Sequence, residues 1–180
     1  PDRWDGEARG YRTLAEPSEL AGWLAALPEG APLAVDTETD DLRPDRARLV
    51  GVSLCAKGGD AVYVPILTRA GDAQGSLFTG DGETDRLADF APVLGPALAD
   101  TTRMKVGQNL KYDEWILDRH GLPLGGPRFD TMLAAYVLDP GRMRFGLDDL
   151  AMDLLGRETI SYGDLFEKGD RTKDILTVPL

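Results

Sequence analysis

Apolar residues in this chain come in short runs between polar, glycine- and proline-rich stretches, and the spacing within each run predicts its element. Leu20, Trp23, Leu24 and Leu27 recur at i, i+3, i+4 and i+7, which predicts an amphipathic helix capped by Ser18 and finished before Gly30. The continuous run Ala31-Pro32-Leu33-Ala34-Val35 predicts a buried strand over about 31–36. Leu49–Cys55 and Ala61–Ile66 read as two further strands, joined as a hairpin by the Lys57-Gly58-Gly59-Asp60 turn. Helical spacing returns at Leu87, Phe90, Leu94 and Leu98, in a segment over about 84–98 that Pro92 and Pro96 are expected to bend or break. Met104–Gly107 reads as a short strand and Asn109–Arg119 as a helix stopped by Gly121 and Pro123. Asp130 opens a helix with Leu133, Tyr136, Val137 and Leu138 on its apolar side, and Leu147–Leu155 forms another. Residues 68–82 are glycine-rich and loop-like, and Tyr11–Leu14 reads as a short strand. A hairpin followed by alternating helix and strand predicts a mixed α/β sheet with helices packed against it: one domain over 11–180 behind a polar linker at 1–10.

Composition adds exclusions. The 180 residues are 42% hydrophobic and 28% charged, ordinary for a globular domain. No apolar run approaches the roughly 20 residues of a membrane helix, and the polar start has no signal-peptide pattern. It also lacks an initiator Met, so a piece of a longer protein is expected. The single Cys55 rules out an internal disulfide, fits a reducing cytoplasm and, lying in a strand, reads as a small buried core thiol. The net charge of −11 argues against gripping long duplex nucleic acid by phosphate neutralisation alone. It leaves open a nuclease that holds a few nucleotides through bound cations. One His and one Cys cannot supply a Ser/His/Asp or Cys/His nucleophile set or a zinc site, and no glycine-rich phosphate cradle is present.

The candidate chemistry lies in the carboxylates. Strand side chains alternate, so Asp36 and Glu38 of Asp36-Thr37-Glu38-Thr39-Asp40 point the same way at the end of a core strand. Two such carboxylates repel each other and are costly to desolvate, and a hard divalent cation would relieve both effects. Asp113 is four residues after Asn109, on the same helix face and near the first turn, where the helix dipole favours an acid; spacing alone equally fits a solvated helix Asp. Asp130 reads as an N-cap rather than a further ligand, and His120 as a dipole partner at a helix end.

Three segments in order, Asp36-Thr37-Glu38-Thr39-Asp40-Asp41-Leu42, Gly107-Gln108-Asn109-Leu110-Lys111-Tyr112-Asp113 and Phe129-Asp130-Thr131-Met132-Leu133, closely resemble the 3′–5′ exonuclease domain of bacterial DNA polymerase I, a family A polymerase. The resemblance runs from about Tyr11 to the last residue. It implies the ribonuclease H-like exonuclease fold, with a mixed five-stranded sheet flanked by helices. It also implies two divalent metal ions, Mg2+ or Mn2+, that hydrolyse the terminal phosphodiester at the 3′ end of single-stranded or frayed DNA. Asp36, Glu38 and Asp113 match three of the family's four metal-binding acids. Thr39, Leu42, Gln108, Asn109 and Tyr162 match its contacts to the terminal nucleotides, Leu42 as a wedge between bases and Tyr162 as a stacking ring. Arg144 matches a phosphate contact, with Arg142 equally placed.

The family's third motif puts its last acid four residues after a Tyr or five after a His. No Tyr or His of this chain has an acid at that spacing. The resemblance therefore implies a domain incomplete at its C-terminal end, a site short of its fourth acid and a weak or inactive isolated chain. It implies a bacterial, nucleoid-associated monomer, with no membrane partner and a polymerase domain downstream. The competing expectations are an exonuclease of the same superfamily acting on RNA ends, and a non-catalytic scaffold domain of a polymerase.

Overall fold

A computed structural model of the chain describes residues 10–69, 82–166 and 174–178. In chain order the described residues form β1 (Arg12–Thr13), α1 (Pro17–Ala25), β2 (Leu33–Thr39), β3 (Leu49–Cys55), β4 (Ala61–Pro65), β5 (Leu67–Arg69), β6 (Glu83–Asp85), α2 (Leu87–Ala99), β7 (Lys105–Gly107), α3 (Leu110–Arg119), β8 (Arg128–Asp130), α4 (Thr131–Leu138) and α5 (Leu147–Leu155). Short 3₁₀ turns follow at Tyr162–Leu165 and Ile175–Thr177. The expected linker and most of the glycine-rich 68–82 stretch lie outside the described residues.

Six strands make the main sheet in the order β1-β4-β3-β2-β7-β8, while β5 and β6 form a separate ribbon. β2, β3 and β4 are antiparallel neighbours, and β1, β7 and β8 add in parallel. The sheet is therefore mixed, as expected, with six strands rather than five. The expected strand at Tyr11–Leu14 is present as the two-residue edge strand β1, and the strand the sequence did not announce is β8, which pairs with β7 at the other edge.

Strand alternation divides the sheet into a covered and an open face. Leu33, Val35, Val52, Leu54, Val62 and Val64 share one core with Leu20 and Trp23 of α1, Phe90, Leu94 and Leu98 of α2, and Ile116 and Leu117 of α3. The opposite face of β2 carries Ala34, Asp36 and Glu38, paired in register with Cys55, Ser53 and Gly51 of β3. Cys55 is for this reason not the expected core thiol. It is half-buried on the open face, between Ala34 and Ala61, and its thiol donates to the Lys57 carbonyl at 3.2 Å.

Local differences from expectation have local causes. α1 begins at Pro17, not Ser18: proline suits the first helical position, and the Glu16 N–H donates to the Glu19 carboxylate at 3.0 Å. α2 runs unbroken through Pro92 and Pro96, which lie four apart on its exposed side. Burial of Phe90, Leu94 and Leu98, each contributing about 2 kcal/mol, holds it continuous. Lys105 is fully buried, its Nζ donating to the carbonyls of Asp100, Arg103 and Gly125 at 2.7, 3.0 and 3.1 Å. α4 buries no residue: Leu133, Tyr136, Val137 and Leu138 are all exposed. Among the described residues, no helix is long and apolar enough to cross a membrane.

Candidate active site

β2 continues past the expected end at residue 36 to Thr39, and this extension places both acids on a regular strand. Asp36 stands opposite Ser53 and Glu38 opposite Gly51; the register then slips at Glu38/Thr39, so that Thr39 pairs with Leu49. The displaced Leu49 N–H donates to His120 Nε2 at 3.3 Å, while Nδ1 of the same ring lies 2.7 Å from the Ile116 carbonyl. His120 thus ties α3 to the strand beside the site, a more specific role than a dipole partner.

α3 delivers Asp113 from the core side. The carboxylate is almost fully buried, and its Oδ1 accepts from the Thr37 N–H at 2.9 Å and from the Thr37 hydroxyl at 2.7 Å. Thr37 lies between the two strand acids, so Asp113 reaches β2 between them from the other side, close enough that the three charges act on one another. Thr37 was not singled out from the sequence, where it reads as an ordinary strand residue.

Asn109 and Asp113 do not share a helix face. Asn109 adopts a left-handed backbone with φ 61°, outside the helix, and makes no side-chain cap. Asp130 supplies that cap from a distance, its carboxylate accepting from the N–H groups of Asn109 (3.2 Å) and Leu110 (2.9 Å). The same carboxylate caps α4 through Met132 (2.9 Å) and Leu133 (3.2 Å). The N-cap reading of Asp130 holds, and the residue serves two helices. The Asn109 Oδ1 is buried without a hydrogen-bond partner among the described residues, an arrangement that costs stability and suits a group kept for a ligand.

The acids are electrostatically frustrated. Burial, then the charges of Asp36 and Asp113, pushes Glu38 up to about 7. Burial raises Asp113 to about 6 against the opposing hydrogen bonds from Thr37, and the crowded surroundings also raise Asp36, although its side chain reaches solvent. Tyr63, on the same face, is pushed up to about 12 by burial and then by the Glu38 charge. An all-oxygen set of mutually repelling carboxylates fits hard divalent cations in kind. Among the described residues no three His, Cys, Asp or Glu side chains converge into a ready ligand shell. Such ions would therefore be shared among these acids, water and substrate.

Glu38 and Asp113 bind protons more tightly in the folded state (about 7 and about 6) than at their ordinary values of 4.5 and 3.8. Their penalty is absent below the unfolded values and grows as pH rises towards the folded ones. Glu83, held down to about 2 first by its hydrogen bonds to Arg48 and Arg69, does not titrate in that interval. Without divalent ions, the melting temperature at about pH 5 should exceed that at about pH 7.5 by about 4 °C, for a screened difference of about 1–2 kcal/mol. Glu38→Gln should remove most of the difference; equal melting temperatures for the unsubstituted chain would refute the assignment.

The expected substrate residues differ in how they are held. Leu42 is 92% exposed, so packing does not account for it. Its loop is held by the Tyr112 hydroxyl, which donates to the Asp41 carbonyl at 3.0 Å and shares a hydrogen bond with Thr39 Oγ1 at 2.8 Å. Tyr112 was visible in the second motif but its tie to β2 was not. The Gln108 amide is engaged internally, donating to the Phe145 carbonyl at 2.7 Å and accepting from the Thr131 hydroxyl at 2.5 Å. Tyr162 is half-exposed, edge-on to Phe166 at 5.0 Å, and near enough to Glu38 to feel its charge. Arg144 has a side chain 78% exposed and only loosely paired with Asp149, whereas that of Arg142 is 19% exposed and paired with Asp153.

A mixed sheet packed on α1, α2 and α3, with Asp36 and Glu38 on its other face at the end of β2 and Asp113 reaching the same strand from α3, is the ribonuclease H-like exonuclease architecture. The profile of a 3′–5′ exonuclease family matches residues 11–179. The chain belongs to this family, and its relatives are the exonuclease regions of bacterial DNA polymerase I. It is 36% identical to DNA polymerase I of Pseudomonas aeruginosa over 161 residues, 88% of this chain and 17% of that protein. It is 39% identical to DNA polymerase I of a Synechocystis strain over 153 residues, 83% of this chain and 14% of that one. The chain thus spans less than a fifth of these relatives.

Among solved structures, Pol1 of M. smegmatis in complex with DNA primer-template and dNTP superposes with a TM-score of 0.61 at 30% identity, over 82% of this chain and 23% of that one. Escherichia coli RNase D superposes with a TM-score of 0.60 at 20% identity, over 93% and 40% of the two chains. Brucella melitensis NrnC with bound Mg2+ gives 0.58 at 22%, over 93% and 74%. The last two likenesses bear on the fold alone.

Proposed function

We propose that this chain is the proofreading 3′–5′ exonuclease domain of a DNA polymerase I, removing nucleotides from the 3′ end of single-stranded or frayed DNA. The observation that carries the reading is the hydrogen bond that ties Asp113 to Thr37, between Asp36 and Glu38, in a site that also carries an exposed leucine and an exposed tyrosine. Two divalent ions, Mg2+ or Mn2+, would activate water and stabilise the leaving 3′ oxygen when bound. Asp36 would hold both, Glu38 and Asp113 one each. Glu38 orients the attacking water. Leu42 wedges between the last two bases and Tyr162 stacks on one, contacts that tolerate any sequence and so suit removal of any mispaired nucleotide. Thr39 and Asn109 contact the terminal nucleotide, Gln108 keeps the turn before α3 in place for that contact, and Arg144 reaches a phosphate. With three of the four family acids, the 180-residue chain alone should cut weakly or not at all. In the whole protein, the domain acts as part of a monomer in the bacterial cytoplasm, beside a polymerase domain.

The relatives at 36–39% identity favour DNA over RNA. The test uses the protein at its full natural length, Mg2+, and 5′-labelled single-stranded DNA and RNA of one sequence. Stepwise shortening of the DNA from its 3′ end, faster than of the RNA, is expected. Preference for RNA would move the assignment to the RNA-end exonucleases, and inertness towards both, in Mg2+ and Mn2+, to a scaffold domain.

A further inference from the structure

On the open face of the sheet, Tyr63 is a group that the exonuclease motifs leave unused. In register, Asp36, Ser53 and Tyr63 form one row across β2, β3 and β4; Glu38, Gly51 and Pro65 form the next. Tyr63 does not stay in its own row. Its ring edge and hydroxyl lie over Gly51, where a methyl group on that glycine would overlap them. Directly opposed residues of an antiparallel pair have Cβ atoms about 4.5–5.5 Å apart. The Tyr63 hydroxyl therefore occupies the place of the side chain that would face Glu38 across the sheet. A tyrosine hydroxyl carries its proton near neutral pH and can donate it to a carboxylate. It has no hydrogen-bond partner among the described residues.

Covering a strand glycine with a diagonal aromatic ring is by itself a packing device. That device needs the ring and not the hydroxyl; phenylalanine would serve it equally. Packing does not explain a hydroxyl set over the residue that pairs with Glu38 across the sheet.

We propose that Tyr63 is a positioning residue of the exonuclease site, its hydroxyl holding the Glu38 carboxylate from across β3, directly or through one water. Gly51 is the complementary half of the arrangement, its missing side chain giving the hydroxyl its place. This inference rests on the exonuclease reading above, in which Glu38 orients the attacking water. Tyr63 touches neither the scissile bond nor the nucleotide.

The test compares Tyr63→Phe, Tyr63→Leu and Gly51→Ala in the full-length protein on single-stranded DNA. Groups that orient metal-binding carboxylates from behind typically contribute 10- to 100-fold, so kcat should fall about tenfold in Tyr63→Phe, with KM nearly unchanged. Its melting temperature should stay within about 2 °C of the unsubstituted protein, because the ring still covers Gly51. Gly51→Ala, which displaces the hydroxyl and leaves every acid in place, should show the same loss of kcat. Tyr63→Leu should lose kcat and stability together. Calorimetric Mn2+ titration should show weaker binding in Tyr63→Phe than in the unsubstituted protein, a readout independent of turnover. Cleavage and Mn2+ affinity in Tyr63→Phe equal to those of an active unsubstituted protein would overturn the inference and leave the exonuclease reading intact. An unsubstituted protein that neither cleaves DNA nor binds Mn2+ would overturn both.

Discussion

Asp36→Ala should abolish 3′ end cleavage by the full-length protein, lowering kcat by about 1,000-fold or more, equivalent to about 4 kcal/mol of transition-state stabilisation. It should also remove the Mn2+ binding seen by titration. Asp36 is the acid least involved in holding the fold. Its pKa is raised and desolvation is the only cause, so no partner stabilises its charge. The variant should accordingly melt at the same temperature or slightly higher near neutral pH. This combination separates catalysis from folding. Loss of activity with a lowered melting temperature would make Asp36 a structural residue, and full Mn2+ affinity in the variant would remove it from the metal site.

Asp130→Ala should be the most damaging single substitution for stability among the acids near the site. One carboxylate accepts four N–H groups, two at the start of α3 and two at the start of α4, at 2.9–3.2 Å. An N-cap contributes about 1 kcal/mol and hydrogen bonds to a charged acceptor somewhat more, so the double cap should be worth about 3 kcal/mol. For a domain of this size that corresponds to a melting temperature lower by about 10 °C. Asp130→Asn keeps a single acceptor oxygen and should lose about half as much. Activity should fall with stability, because α3 carries Asp113 and its first turn would no longer be fixed. A change of less than about 2 °C in Asp130→Ala would show that water replaces the cap at both helices.

Asp130 also shows where legibility in the sequence stops. An Asp before Thr131-Met132-Leu133 announces a helix start through local spacing alone, and α4 begins at Thr131. Nothing local announces that the same carboxylate reaches back 20 residues to Leu110. Lys105 teaches the same lesson: a lysine in a short strand gives no sign that its ammonium will be buried against three carbonyls. The α2 prolines were misleading because the rule for proline in a helix is local, whereas the burial that overrides it is not. Cys55 and the apolar residues of α4 were placed inside by their chemistry and lie outside or half outside because no described element covers them.

The sequence by itself determined the helices and the strands β1 to β4 and β7, the pairing of Asp36 with Glu38 on one face, and the family, because each depends on spacing along a few consecutive residues; the three-residue strands β5, β6 and β8 are too short to carry such a pattern. Only the tertiary structure decided that Asp113 meets them through the Thr37 peptide, that Asp130 fastens two helices at once and that Tyr63 leans over Gly51 towards Glu38. Those facts depend on register between strands and on contacts between residues 12 to 76 positions apart, and no periodicity within a single segment encodes such distances.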